Sequence, residues 1–345
     1  MRRRPLHLRH RARRRNWIIA IGLVTAVATG GLGYAYLNLG DNIKSVDLNE
    51  ALGPDRPPAT PSGPLNLVLI GSDTRGADDP GHSDTTMVVH LDQDHTHATV
   101  VSIPRDTLVP MPDCAGGRTA MFNSAFGQGG ATCTIKTIEQ LTGLRMDHFL
   151  QLDFQGFQRV IDAVGGVEVT TEQRIDDKDS GLHLAAGSHT LSGEQALGFV
   201  RTRYSIGDGS DLNRIKQQQQ FMKSLAAKLA ATRNPATLYS IAEGATSAMT
   251  TDSELASVGK LADFGRELSG LKQDQITFVT LPVNPDTADP NRVRPDAEKA
   301  AELWRSLGGN PPAPTADVRK NTKPTPTQRW KQTRDGTWVL ADGTR

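Results

Sequence analysis

Apolar and polar positions along the chain change period several times, and each change marks an element. "LNLVLIGSD" (65–73) is a short apolar run that stops at Gly-Ser-Asp, which predicts a buried strand ending at a functional loop. "TTMVVHLD" (85–92) and "ATVVSIP" (98–104) predict two paired strands joined by a polar turn at Gln93–His97. Within 132–143, Ile135, Ile138 and Leu141 recur at helical spacing and Gly143 ends the run. Phe154, Phe157, Val160, Ile161 and Val164 repeat that pattern, with Gly165 and Gly166 as a left-handed cap and "VEVT" as the next strand. Ser192 and Gln195 form a capping box ahead of a short helix. Residues 211–230 predict a longer helix with Ile215, Met222, Leu225, Ala226 and Leu229 inward. Leu255, Val258, Leu261, Phe264 and Leu268 mark another helix, "ITFVTLPV" a late strand, and "PDAEKAAELWRSLGG" a closing helix. Strands alternating with helices predict an α/β fold, an α/β/α sandwich with a central mixed sheet.

Outside this pattern lie two unlike ends. Trp17 to Leu37 is a stretch of 21 residues without a charge, roughly 31 Å as a helix and about one bilayer core. Eight arginines and no acid precede it in residues 1–16, so the expected topology is a cytosolic N-terminus, one membrane anchor and the bulk of the chain outside. Cleavage at Ala26-Val27-Ala28 is the competing reading. The apolar run continues past that point to Leu37, which favours an uncleaved anchor. Residues 38–63 hold clustered proline and glycine and read as a stalk. Residues 64–308 form the main domain, and 309–345 read as a flexible tail with a small hairpin turning at Asp335-Gly336.

Charge then narrows the function. The chain carries 39 basic and 38 acidic residues. Without the eight N-terminal arginines the balance is 31 against 38, near −7. That is a poor balance for a nucleic-acid binder, and none is expected as partner. Two cysteines, Cys114 and Cys133, read as one disulfide if the domain lies outside the cytosol. A catalytic cysteine and two buried free thiols are the alternatives. The chain has no G-x-S-x-G, no Walker A loop, no H-E-x-x-H and no C-x-x-C.

What remains is carboxylates and arginines in loops. Asp73 ends one strand and Asp84 precedes the next, so a loop that leaves and returns can bring them together. Two carboxylates with phosphate oxygens make a Mg²⁺ site; capping and turn formation are the bland reading of the same residues. Arg105 follows a strand at "SIPRDT". "FVRTRYSIGDGSDLNRIKQQQQFM" gathers Arg201, Arg203 and Arg214 around a glycine-bearing loop where a helix begins, with Gln218 one turn beyond Arg214. Guanidinium forks match phosphate oxygens in pairs, so the cluster reads as an anion site. A solvated charged face is the alternative.

The motifs "LIGSDTR", "HSDTTMVVHL", "VVSIPRDTLV", "NSAFGQGG", "DHFLQLDFQGFQRVIDAVGGVEV", "LSGEQALGFVRTRY" and "NRIKQQQQF" occur in that order behind one basic-flanked apolar span. On them the chain resembles the LytR-CpsA-Psr family of membrane-anchored cell-wall phosphotransferases, and most resembles its actinobacterial branch, where a cysteine pair sits in the same loop. The resemblance covers roughly residues 64–308 and implies transfer of a glycopolymer from a polyprenyl-diphosphate carrier onto peptidoglycan through a phosphodiester. It implies Mg²⁺, or Mn²⁺ in its place, held by Asp73 and Asp84. It implies a diphosphate gripped by Arg105, Arg201, Arg203, Arg214 and Gln218, with Arg75 as a further contact, and it makes Asp84 and Arg105 catalytic. A polyprenyl-diphosphate hydrolase and a non-catalytic scaffold that binds lipid carriers are the competing readings. The aliphatic residues at 152–164 and 215–229 would line a lipid tunnel or form an ordinary core. Two positions depart from the family pattern: Met121 stands where many relatives carry lysine, and Lys216 is followed by Gln217 rather than a second base.

Overall fold

The computed structural model describes residues 39–60, 63–73, 81–202, 211–268, 270–289 and 291–312, and the backbone of 330–332 and 338–340. The expected membrane segment 17–37, the basic segment before it, Arg75 and Arg203 lie outside the described residues. Among the described residues no helix is long and apolar enough to cross a membrane.

In chain order the elements are β1 (Lys44–Val46), α1 (Leu48–Leu52), β2 (Leu65–Ser72), β3 (Ser83–Leu91), β4 (Ala98–Ile103), β5 (Leu108–Pro110), β6 (Thr119–Met121) and α2 (Ser124–Thr142). They continue with β7 (His148–Asp153), α3 (Phe154–Ala163), β8 (Val167–Thr171), β9 (Ile175–Asp177), β10 (Leu182–Leu184), β11 (Gly187–Leu191) and α4 (Gly193–Arg201). Then follow α5 (Asp211–Ala231), α6 (Pro235–Thr246), β12 (Met249–Asp252), α7 (Val258–Leu268), β13 (Ile276–Thr280), β14 (Val283–Pro285), β15 (Val293–Pro295), α8 (Ala297–Ser306), β16 (Trp330–Gln332) and β17 (Trp338–Leu340).

Seven strands form one sheet in the order β1-β12-β7-β2-β3-β4-β13. It is mixed: β2–β3, β3–β4 and β7–β12 are antiparallel, whereas β2–β7, β4–β13 and β1–β12 are parallel. Successive side chains on a strand face opposite sides. Val68 and Ile70 of β2 thus join one core with Val88, Val101, Ile135 and Trp304, under α2 and α8. Leu67 joins Met87, Val89, Val100 and Phe264 in a second core on the other face, under α7. The expected sandwich with a central mixed sheet is therefore observed. A third core ties α3, α4 and α5 to β8–β11 through Ile161, Val167, Leu182, Phe199, Phe221 and Leu225. Of the apolar residues considered for a lipid tunnel, Phe157, Ile161, Val164, Phe221, Met222, Leu225 and Leu229 pack in this core, with the Phe157 and Phe221 ring centroids 5.7 Å apart. Ala226, expected inward, is exposed, and Phe221 takes the buried position instead.

Three segments differ from the sequence reading. The helix expected over 132–143 begins at Ser124, because a break at Gly129 and Gly130 joins two helical pieces and hides the period. The described part of the 38–63 stalk is folded onto the domain: β1 adds an edge strand beside β12, and Leu48 and Leu52 are buried in the first core. Arg56 holds this segment down. Its guanidinium is 4% exposed, pairs with Glu139 at 2.7 Å and donates to the Met146 carbonyl at 2.6 Å. Its partner lies 83 residues away, so proline and glycine content alone reads as a linker. At the other end, Asn310 packs against the end of α2. Gly143 there has φ +66°, and a Cβ would stand 2.2 Å from the Asn310 carbonyl oxygen. The tail hairpin exists as the antiparallel pair β16–β17; its Asp335-Gly336 turn lies outside the described residues.

Two predictions follow from these buried charges. Arg56→Ala strands the Glu139 carboxylate away from water and lowers the unfolding free energy by about 3–5 kcal/mol, read by urea denaturation; an unchanged midpoint would show that the segment is not anchored there. The second concerns His148, whose Nδ1 lies 3.1 Å from Asp252. Burial works against the imidazolium, but the hydrogen bond and charge of Asp252, with Glu254 and Asp147, outweigh it and raise the His148 pKa. A raised folded pKa contributes stability that is complete below about pH 6.5 and is lost as pH rises through the raised value. Melting temperature therefore falls more steeply above pH 6.5 in the wild type than in His148→Gln; parallel curves would contradict this.

Candidate functional site

The site lies where strands β2, β3 and β4 run out. Gly71 opposes Thr85 and Ser72 opposes Ser83, so Asp84 is the extra residue of a β-bulge. Bulges re-aim side chains at strand ends. Next door β4 ends at Ile103, and Pro104 directs the chain to Arg105, which donates from Nη1 to Asp84 Oδ1. The Arg105 backbone is fixed in turn: its carbonyl accepts from Asn123 N at 3.1 Å, and the Thr107 carbonyl accepts from Phe122 N at 2.8 Å. Cys114 and Cys133 form a disulfide that ties this loop to α2.

Helix α4 brings the second arginine. The Ser192/Gln195 capping box opens it as expected, with Gln195 N donating to Ser192 Oγ at 3.4 Å. Gly193 lets the helix start press on α3; a Cβ there would lie 2.4 Å from the Gln158 carbonyl oxygen. At its other end Arg201 places Nε 3.8 Å from Asp84 Oδ2 and its guanidinium 4.9 Å from the Phe154 ring centroid. The aromatic face favours the cation without a charge of its own.

Helix α5 brings the third. Arg214 is only 4% exposed, with Nη2 3.5 Å from the Asp84 backbone oxygen. The glutamine run explains how the helix is held. Gln218 donates to the Val200 carbonyl at 3.0 Å, Gln219 to Ser102 Oγ at 3.1 Å, and Gln220 to the Thr170 carbonyl at 3.4 Å. Consecutive helical positions point in different directions, so one run grips the end of α4, the sheet end and β8.

These elements enclose a cavity of about 280 Å³ lined by Asp73, Asp84, Thr85, Arg105, Phe154, Asp179, Ser180, Val200, Arg201, Arg214 and Gln218. Six residues singled out from the sequence thus meet in one place: Asp73, Asp84, Arg105, Arg201, Arg214 and Gln218. The sequence reading missed Phe154, Asp179 and Ser180. The signal for the last two was the turn-forming "DDKDSG" between two short apolar strands.

Carboxylate oxygens are the donors a hard divalent cation takes. Asp73 and Asp84 line the same cavity, and among the described residues no group of three or more His, Cys, Asp or Glu could hold a metal. The pair supplies two carboxylate groups of the kind Mg²⁺ takes, in one cavity.

Two guanidiniums facing the Asp84 carboxylate and a third facing its backbone oxygen, in one cavity, suit a multiply charged anion. The fold and the chain agree on a class: the LytR_cpsA_psr family's profile matches residues 35–308, and the chain belongs to that family. Cell wall biosynthesis protein LcpA of Corynebacterium glutamicum is 29% identical over 314 residues, 77% of this chain and 59% of that protein. The chain therefore spans about 59% of the length of that relative. The Bacillus cereus protein named polyisoprenyl-teichoic acid–peptidoglycan teichoic acid transferase TagU is 31% identical over 219 residues, 61% of this chain and 70% of that one. The structure of Bacillus subtilis TagV superimposes with a TM-score of 0.62 at 27% identity, covering 72% of this chain and 99% of that chain. A LytR-Csp2A-Psr enzyme from Actinomyces oris shares the fold, with a TM-score of 0.64 at 24% identity over 78% of this chain and 96% of that one.

The anion seat is testable with inorganic pyrophosphate. Arg201→Ala removes one charge-assisted contact worth about 1.5–3 kcal/mol, so calorimetry should show pyrophosphate binding weakened at least tenfold with the melting temperature held. Equal affinity in both proteins would show that the cleft does not bind phosphate through this arginine.

Proposed function

We propose that the chain is a phosphotransferase that attaches a glycopolymer from a polyprenyl-diphosphate carrier to peptidoglycan through a phosphodiester during cell wall assembly. The observation that carries this reading is the convergence of Arg105, Arg201 and Arg214 on Asp84 in one cavity. A diphosphate carries several negative charges, and phosphoryl transfer asks a protein chiefly to position it and to stabilise charge on the leaving phosphate. Guanidiniums held in one cleft do both. The names of the relatives LcpA and TagU support the same chemistry and the same setting.

In this reading Arg105, Arg201 and Arg214 hold the diphosphate oxygens, and Gln218 keeps α5 in register with the end of α4. Arg75 and Arg203, which lie outside the described residues, are assigned to the same diphosphate. Asp73 and Asp84 hold Mg²⁺, which when bound would offset phosphate charge. Residues 17–37 anchor the chain in the membrane, with the catalytic domain on the outer side beside its lipid-linked donor and its peptidoglycan acceptor.

The test supplies the full chain with a short-chain polyprenyl-diphosphate glycan, peptidoglycan fragments and Mg²⁺, and follows the fragments by mass spectrometry. The expected product is a fragment carrying the glycan phosphate. It should be lost with chelator and reduced at least 10²-fold in Arg105→Ala. Release of polyprenyl phosphate with no glycan on the fragments would replace the transferase with a hydrolase. Donor binding without turnover would replace it with a carrier-binding scaffold.

A further inference from the structure

A transfer to a sugar hydroxyl must dispose of that hydroxyl's proton. Asp84 is badly placed to take it, because Arg105 and Arg201 both face its carboxylate. Arg105 takes Oδ1 and Arg201 faces Oδ2, so neither oxygen is left turned to an incoming hydroxyl. Asp73 accepts from the backbone N–H of His82 and closes its own loop. One more carboxylate lines the cavity, that of Asp179, and among the described residues its side chain makes no hydrogen bond or ion pair.

Asp179 is nevertheless held in place. It sits at the tip of the β9–β10 hairpin, where Asp177 pairs with Leu182. Asp177 is 3% exposed, and its Oδ1 accepts from the backbone N–H of Asp179 at 2.9 Å and of Ser180 at 3.1 Å. The tip is also pinned to the helix that carries Arg201. Ser180 Oγ lies 2.9 Å from Thr202 Oγ1. The Thr202 hydroxyl donates to the Gly198 carbonyl at 2.9 Å, so Ser180 is the donor of that pair. Gly198 permits the close approach, since a Cβ there would lie 3.2 Å from the Ser180 carbonyl oxygen. A rigid backbone thus presents an exposed carboxylate to the same cleft as the arginines.

We propose that Asp179 is the general base that takes the proton from the acceptor hydroxyl; the assignment rests on the transferase reading above. The acceptor O–H bond breaks toward the Asp179 carboxylate as the hydroxyl oxygen bonds to the glycan-bearing phosphorus. The P–O bond to the lipid-side phosphate breaks, and its electron pair leaves on polyprenyl phosphate. Asp179 then loses the proton to water at the exposed hairpin tip. The charged groups about it are Lys178 and Asp177 on its own hairpin, Arg201 on α4, Arg214 on α5, and Asp73, Asp84 and Arg105 at the sheet end.

The experiment compares wild type, Asp179→Asn and Asp179→Glu as full chains, using the short-chain polyprenyl-diphosphate glycan and peptidoglycan fragments. A positioned base contributes about 10²–10⁴-fold. Asp179→Asn should lower kcat for transfer at least 10²-fold, change the donor KM less than threefold, and abolish the acid limb of the pH–rate profile. Asp179→Glu should restore that limb in part. If Asp179→Asn transfers within threefold of wild type with the same acid limb, Asp179 is not the base. A parallel rise in donor KM with the acid limb kept would assign Asp179 to holding the donor and overturn the proposal. A wild type that turns over the donor with no glycan on the acceptor overturns the transferase reading itself, and the base assignment with it.

Discussion

One carboxylate organises the site. Three guanidiniums repel one another, and each loses hydration when it is brought into a cleft; they stay together only where something negative sits among them. Asp84 is the group all three touch, Arg105 and Arg201 at its side chain and Arg214 at its backbone oxygen, with Asp106 3.9 Å from Arg105 beside it. The β-bulge that turns Asp84 out of the ladder costs one residue of pairing and gives three distant segments a common centre. A diphosphate carries the same kind of charge in larger amount. On the proposed reading the site is preorganised for it, with Asp84 standing in for part of the anion.

The scaffold explains why the arginines can be held so firmly. Each comes from a different structural unit with its own fastening. Arg105 leaves the sheet through a loop clasped by Phe122 and Asn123 and tied by the disulfide. Arg201 ends a helix whose start is boxed and pressed against α3 through Gly193. Arg214 begins a helix steered by three successive glutamines. The N-terminal segment adds to the same frame, because β1 and Arg56 close the edge of the sheet and the end of α2. The domain therefore starts well before residue 64, as the match from residue 35 also indicates.

Much of this was legible in the sequence, and the limits have physical reasons. β2, β3 and β4 announced themselves as short apolar runs, α3 through helical spacing, and the Ser192/Gln195 box through side-chain chemistry alone. The candidate site residues were legible as charges in glycine- and proline-marked loops, and six of them meet in the cavity. β1 and Arg56 were not, because an edge strand of three residues has no period and a buried arginine is recognised only by a partner 83 residues away. Asp179 was hidden for a related reason. Asp177, Asp179 and Ser180 look alike as turn formers, and only the folded hairpin shows one carboxylate spent on the backbone and another turned to the cleft.

The measurement that bears most directly on this account is a crystal structure of the chain with a short-chain polyprenyl diphosphate bound. The account predicts diphosphate oxygens within hydrogen-bonding distance of Arg105, Arg201 and Arg214, with the Arg105–Asp84 pair opened or shared with the ligand. A diphosphate bound elsewhere, over an intact Arg105–Asp84 pair, would contradict it.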